Sequence, residues 1–431
     1  ASNSRYAEEK RVVAVKDVGP LISMQEMSRC IHCTRCVRFG QEVAGVMELG
    51  MIHRGEHSEI TTFVGRSVES ELSGNMIDLC PVGALTSKPF RYQARTWELA
   101  RRRSVSPHDS LGANLVVQVK GDQVIRVVPF ENEELNECWI SDRDRFSYEG
   151  LNEDRLTSPM VKGTDGQWRE ASWSDALQAV AQGLMQVRDA SGAAQIGSLA
   201  SEYATLEEMA LLARVTRGLG SENIDFRLRQ TDAAFDAALT GAPWLGMNIN
   251  ALDTLDRVLV VGSFLRKDHP LMAQRLRQAV KRGTQVSSVD TAGDDPLFKL
   301  TARATTLPSA LADTLAQVAV ALAKAKSADI PAALSAVQPS AAAEQIAASL
   351  ASGERVAVLL GSTAVNAPDA SRIAAHAQLI AQLAAGQFHV LHSLSAGSTS
   401  SCHRPVLPAC LSLIQPLLLL LSTSPCSLCS P

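Results

Sequence analysis

Cys30, Cys33 and Cys36 lie three residues apart in "SRCIHCTRCVRFG", residues 28 to 40, and no other feature restricts the fold of this chain so tightly. Thiols at that spacing are held by a disulfide, a zinc ion, an iron-sulfur cluster or nothing, and the redox compartment is the first discriminator. Nine cysteines among 431 residues are too sparse for a disulfide scaffold. The opening "ASNSRYAEEKRVV" lacks the apolar core of a signal peptide, so a reducing, cytoplasmic setting is expected. It also lacks an initiator Met, which suggests a fragment. A formal net charge of -4 gives no overall attraction for nucleic acid, and none is expected as a partner.

Five cysteines fall in the first third, none between Cys138 and Cys402, and four in the last thirty residues. The chemistry is therefore separated from the bulk of the chain, and an α+β and α/β multidomain architecture is expected. Residues 1–98 carry the cysteine run and end in "CPVGALTSKPFRYQARTWELARR". Residues 99–155 form a small β-rich module, in which β-branched runs at 115 to 119 and 124 to 128 flank Gly121-Asp122, a hairpin signature.

Residues 156–385 alternate short apolar strands with Ala/Leu-rich helices: "AQIGSLAS" before "TLEEMALLARVTRGLG", "DRVLVVGS" before "HPLMAQRLRQAVKRG" and "TQVSSVD", "ERVAVLLGS" before "DASRIAAHAQLIAQLAAG". Leu206, Met209, Ala210 and Ala213 mark one face of the first helix and Gly220 its C-cap, and the alternation implies a parallel sheet covered by helices. "SADIPAALSAVQPSAAAEQIAASLASG" reads as a linking helical stretch. From residue 386 to 431 charge and periodicity disappear. The apolar run there, Leu411 to Leu421 broken by Pro416, is shorter than the ~20 residues of a membrane span. That tail resembles a shifted reading frame and is expected to pack no core.

A fourth candidate ligand is Cys80 of "DLCPVGAL", 44 positions after Cys36 (80 - 36). A short loop with three thiolates and a remote fourth can wrap a cubane. Iron and zinc both accept four thiolates, but structural zinc sites usually pair Cys-x2-Cys knuckles, whereas three consecutive steps of three are the ferredoxin pattern. We read one 4Fe-4S cluster on Cys30, Cys33, Cys36 and Cys80, with zinc as the alternative. His32 is out of register and reads as a surface residue. Arg29, Arg35 and Arg38 flank the motif and either raise the cluster potential or are solvated and paired. With four cysteines on four irons no iron is open to substrate, so an electron relay is expected rather than a catalytic centre.

The motif, together with "LSGNMIDLCPVGALTSKPFRYQARTWELARRRSVSPHDSLGANLVVQVKGDQVIRVVPFENEELNECWISDRDRFSYEGLN", resembles the large iron-sulfur subunit of bacterial NADH-quinone oxidoreductase, respiratory complex I. The likeness is dense to about residue 160 and looser to 385. It implies a ferredoxin-like iron-sulfur domain over 1–98, a degenerate 4Fe-4S module over 99–155 and a molybdopterin oxidoreductase-like α/β domain over 156–385. It also implies a peripheral-arm subunit on the cytoplasmic face of the inner membrane, membrane-associated only through the complex. There it would relay electrons from the FMN- and NADH-binding subunit toward quinone among the other peripheral-arm subunits.

Three departures bear on that inference. The family's 2Fe-2S cluster and a second 4Fe-4S cluster, held by one His and three Cys, belong upstream of residue 1. An extra cluster found in some members would need thiols at Arg103, Ser106, Ser110 and Cys138, where only Cys138 is one. The α/β domain has no cysteine from 139 to 401 for a metal, so no molybdenum is expected there. "VVGS" reads as a helix-strand turn rather than a nucleotide loop. The competing reading is a molybdopterin-dependent oxidoreductase such as a formate dehydrogenase alpha subunit.

Overall fold

The computed structural model describes residues 13–390 apart from 109–110, 202–203, 227–230 and 239–244. The tail from 391 onward, and Ser110, lie outside the described residues.

The N-terminal part is built from short elements around a compact apolar centre. Strands β1 (Lys16–Asp17) and β2 (Ile22–Met24) form an antiparallel pair, helix α1 covers Arg35–Phe39, and β3 (Leu49–Ile52) pairs with β4 (Glu59–Thr62). Helix α2 (Asn75–Leu79) follows, then β5 (Thr86–Ser87), which joins β2. The next module is a three-stranded antiparallel meander of β6 (Ala100–Val105), β7 (Asn114–Lys120) and β8 (Gln123–Pro129), closed by helix α3 (Asp142–Phe146). The expected hairpin is β7–β8. Its turn is Gly121-Asp122 with Gly121 at φ +59°, the positive first position that a right-twisted two-residue turn demands.

Beyond it lie hairpin β9 (Met160–Lys162) and β10 (Trp168–Glu170), helix α4 (Trp173–Ser191), strand β11 (Ser198–Leu199), helix α5 (Leu206–Gly218), strand β12 (Ile224–Asp225), parallel to β11, and helix α6 (Ala233–Ala238). Helix α5 opens on a capping box of Thr205 and Glu208, and Gly220 at φ +87° stands just past its end. Helix α4 buries none of its residues.

The main sheet is drawn from residues after 256. Strand β13 (Arg257–Val261), short helix α7 (Leu265–Asp268), helix α8 (Pro270–Lys281), β14 (Gln285–Asp290), β15 (Ala302–Thr305), α9 (Leu311–Lys326), α10 (Ala341–Ala351), β16 (Val356–Leu360), α11 (Ser362–Val365), α12 (Ala370–Leu383) and β17 (Gln387–Val390) follow in order. Five strands run parallel in the order β15-β14-β13-β16-β17. The Ala-rich stretch read as linking carries α10, whose Ile346 and Leu350 are fully buried in the core.

The two faces of this sheet have different cover. Leu259, Val261, Val289, Val358 and Leu360 face α9, α10 and α12 in one core. Val258, Val260, Val286, Ala357 and Leu359 face α8, and the same core continues without a break into Met24, Met27, Phe39, Leu72 and Leu85 of the N-terminal part. Burial on both faces explains why the central strands β13 and β16 read as continuous apolar runs rather than alternating ones.

Helix α8 is the layer between. Arg277, almost fully buried, donates through Nη1 to Val43 O at 2.6 Å, and Gln278 and Lys281 donate to Glu42 O at 2.5 and 2.7 Å. Those carbonyls belong to the last turn of the helical segment continuing α1, a π-type turn over Gly40–Ala44 that ends at Gly45, φ +82°. A Cβ on Gly45 would stand 2.1 Å from Arg277 Nε, so glycine is required there for space as well as for backbone angle. Arg266 adds a bridge to Glu71 at 2.7 Å.

Candidate metal centre

The cysteine loop is shaped by two left-handed residues. A single 3-10 turn over Met27–Arg29 ends where Cys30 N donates to Met27 O at 3.0 Å. His32 at φ 55° and Thr34 at φ 58° then reverse the chain twice before α1 begins, which sets Cys33 between the reversals and Cys36 on α1. Non-glycine residues rarely adopt that conformation, and they do so where the surrounding structure enforces it. His32 thus shapes the loop.

Cys80 arrives from the other side, at the end of α2, where its N–H donates to Met76 O at 3.2 Å and Pro81 stops the helix. Gly83 at φ +65° turns the chain back so that Ala84 and Leu85 re-enter the core, and Leu85 N–H then donates to Cys80 Sγ at 3.4 Å. Cys30, Cys36 and Cys80 pack against one apolar cluster together with Ile77, Leu79 and Val82.

The position of α2, and through it Cys80, is set by the β-rich module. Asn75, 1% exposed, donates to Leu72 O at 2.9 Å and Ile140 O at 2.8 Å. Its Oδ1 accepts from Ile140 N at 3.1 Å and Arg145 Nη2 at 3.2 Å. Asp142 Oδ1 accepts from Gly74 N at 2.7 Å, and Arg145 bridges Asp78 at 2.6 Å. A Cβ on Gly74 would fall 2.6 Å from Arg145 Cδ. Sequence reading missed all of these residues; a lone Asn inside a helix carries no signal of a partner 65 positions away.

All four cysteines are partly buried, and none is paired in a disulfide among the described residues. Burial pushes the Cys36 thiol up to about 11, against the pull of Val37 N–H, and Cys30, Cys80 and Cys33 raise it further by repulsion. Cys30, Cys33 and Cys80 therefore lie within electrostatic reach of Cys36. Yet among the described residues no three His, Cys, Asp or Glu side chains close as the shell of a single ion. Of the flanking arginines, Arg29 approaches Glu26 at 4.0 Å, while Arg35 and Arg38 are exposed.

The positions counted for an extra cluster have other occupations. Ser106 is buried and donates to Asp144, whose other oxygen accepts from Ser141 Oγ at 2.8 Å. Arg103 lies over the Phe130 ring at 4.6 Å, and Cys138 is exposed.

The strand order reverses between β13 and β16, and the crevice at their C-terminal ends is where a doubly wound sheet would take a ligand. Here it is filled. Gly361 N donates to Val261 O at 2.8 Å and Thr363 N to Gly262 O at 2.9 Å. A Cβ on Gly361 would sit 2.2 Å from Ser263 Cβ. Beneath them the buried Asp268 accepts from Ser362 Oγ at 2.9 Å. Among the described residues the two loop backbones are in contact at this point, with the buried Asp268 side chain beneath them. The "VVGS" turn packs two loops together.

Three family models match in series. Residues 19–86 match the NADH-quinone oxidoreductase subunit 3 ferredoxin-like domain, and residues 99–149 the NADH-ubiquinone oxidoreductase NDSU1/NuoG-like 4Fe-4S domain. Residues 155–399, more than half the chain, match molybdopterin oxidoreductase. That order of domains, with the identities that follow, decides the family. The chain belongs to the 75 kDa iron-sulfur subunit family of NADH-quinone oxidoreductase.

The NADH-quinone oxidoreductase member from Rickettsia felis is 42% identical over 281 residues, 65% of this chain and 41% of that protein. The mitochondrial NADH dehydrogenase (ubiquinone) iron-sulfur protein 1 of Solanum tuberosum is 41% identical over 295 residues, 68% of this chain and 39% of that protein. The chain thus spans about two-fifths of the length of the relatives it matches. Among solved structures, acetylene hydratase from Pelobacter acetylenicus aligns at 15% identity and TM-score 0.38 over 70% of this chain and 43% of that one, a likeness too slight to argue from. As in the reading from residues, this member of the 75 kDa subunit family carries the family's iron-sulfur domains ahead of its molybdopterin oxidoreductase-like α/β part. Among the described residues no helix is long and apolar enough to cross a membrane.

Proposed function

We propose that Cys30, Cys33, Cys36 and Cys80 hold one 4Fe-4S cluster, and that the chain relays single electrons within NADH-quinone oxidoreductase from the FMN- and NADH-binding subunit toward quinone. The observation that carries this is the spacing of the four thiols. Cys30, Cys33 and Cys36 come from a doubly reversed loop and Cys80 from a helix end, and Cys30, Cys36 and Cys80 border one apolar cluster. Three thiols in consecutive steps of three with a remote Cys-Pro are the ferredoxin pattern, whereas structural zinc sites usually pair Cys-x2-Cys knuckles.

The bound cluster supplies one-electron redox chemistry. The chain's own part is to hold it, to exclude water with Ile77, Leu79, Val82 and Leu85, and to place the Leu85 N–H against one ligand sulfur. No substrate site is needed for that task. Partners are then the other peripheral-arm subunits, and the place of work is the cytoplasmic face of the bacterial inner membrane, reached through the complex. By the resemblance, the family's 2Fe-2S and second 4Fe-4S clusters belong ahead of the residues matched here, and the contact between the β13 and β16 loops argues against molybdenum.

The test replaces Cys33 by Ala within the assembled complex. Loss of one 4Fe-4S signal in low-temperature electron paramagnetic resonance is expected. Quinone reduction should be lost as well, while NADH oxidation by an artificial acceptor near the flavin survives. Unchanged spectra and unchanged quinone reduction, or stoichiometric zinc without visible absorbance, would defeat the assignment.

A further inference from the structure

Among the described residues strand β6 is the open edge of the meander, paired with β7 on one side only, and all six of its residues are exposed. Which of its backbone groups face outward follows from the ladder. Just past the last paired residues, Val105 and Asn114, Ser106 N donates to Ala113 O at 2.8 Å. On its other side Asn114 O accepts from Phe130 N at 2.9 Å, so Asn114 bonds toward β8. Bonded pairs alternate in an antiparallel ladder. Ser104, Arg102 and Ala100 therefore bond to β7, and Arg101, Arg103 and Val105 turn their N–H and C=O groups to the open edge. Arg102 Nη1 donates to Arg101 O at 3.2 Å, which places that carbonyl on the outer side.

The side chains give the edge a sign. Register sets Arg101 across from Gln118 and Arg126, and Arg103 across from Val116 and Val128, so Arg101, Arg103 and Arg126 share one face. Arg102 points to the other face. Among the described residues none of the three consecutive arginines of β6 forms an ion pair, and nearby Glu98 is taken by Lys120 at 3.2 Å. Cations without a carboxylate partner along an exposed edge, Arg103 resting over the Phe130 ring at 4.6 Å, form a local positive field.

We propose that the β6 edge receives an extended acidic segment of a partner protein as a fourth strand, with carboxylates at alternate positions facing Arg101 and Arg103. Backbone pairing supplies affinity in this mode, and the period-two side chains supply selectivity. The site is independent of the cysteine loop and of the relay proposed above. Edge arginines also serve simply to keep strands from aggregating, and the experiment separates the two roles.

A short labelled peptide alternating Glu with Val and Thr is titrated against the cluster-loaded full chain by fluorescence anisotropy. A second peptide of identical sequence is N-methylated along its pairing edge. A single-stranded oligonucleotide and an unstructured oligoglutamate serve as competitors. Binding of the first peptide, slower amide exchange at Arg101, Arg103 and Val105, and failure of the N-methylated peptide are expected. The double variant R101E/R103E should weaken binding by about tenfold or more, as like charges now face each other. No binding, equal binding of the N-methylated peptide, or equal competition by either polyanion would overturn the proposal. The peptide comparison needs no variant, so a misfolded double mutant leaves the test intact.

Discussion

Replacing Asn75 by Ala should release α2, and with it Cys80, from the β-rich module. The side chain makes four hydrogen bonds, two of them exchanged with the backbone of Ile140, whose own side chain is fully buried. Alanine leaves Ile140 N–H and C=O without partners in the core. Each orphaned group costs about 1–3 kcal/mol, and partial entry of water relieves some of that, so about 2–4 kcal/mol is expected. This chain has several parts and a bound group, so one global unfolding energy is ill-defined, and a local readout is preferable. Native-state amide exchange at Ile140 should accelerate roughly 30- to 700-fold, at 1.4 kcal/mol per tenfold. The visible absorbance of the cluster should bleach at lower urea than in the parent. Exchange at Ile140 within about threefold of the parent, well under 1 kcal/mol, would refute the claim that Asn75 joins the two parts.

Further outcomes follow from the same geometry. Gly45→Ala puts a methyl group into the Arg277 guanidinium at a positive φ and should destabilise the junction by about 1–3 kcal/mol, as overpacking typically does, seen as cluster loss at a lower urea midpoint; an unchanged midpoint counts against α8 as the connecting layer. Arg35→Glu should shift the cluster potential downward in redox titrations, because negative charge disfavours the reduced cluster, and the shift should shrink in high salt as this residue is exposed; an upward shift contradicts the electrostatic argument. Burial holds His376 on α12 below the usual value of about 6.5, so the unfolded chain binds the extra proton first as pH falls. Its stabilising share is intact above about pH 6.5 and is lost as pH drops toward the folded value, so His376→Gln should flatten the acid limb of α/β stability, and an unaltered slope speaks against it. Molybdenum or tungsten in stoichiometric amount, in protein from the native host, would contradict the filled crevice between β13 and β16.

Much of this chain could be read without coordinates because the signals are local. The three-residue steps of Cys30, Cys33 and Cys36 and the Cys-Pro at residue 80 identify the candidate ligands, since loop ligation depends on chain spacing. Sequence reading missed the Thr205 cap of α5, but Gly121-Asp122 marks the hairpin, Gly220 the end of α5, and the runs at 257 to 261 and 356 to 360 buried parallel strands. Each of these is fixed by backbone sterics or by periodicity within a few residues. Long-range pairing was decided by tertiary structure. Nothing near Asn75 announces Ile140, nothing near Gly45 announces Arg277, and the alternation of strand and helix does not say that one sheet face packs on the cysteine domain. Nor does "VVGS" disclose that its turn is filled by Gly361 and Ser362 from a loop about a hundred positions later. Such contacts depend on shape and on the desolvation of particular polar groups, which no local pattern encodes.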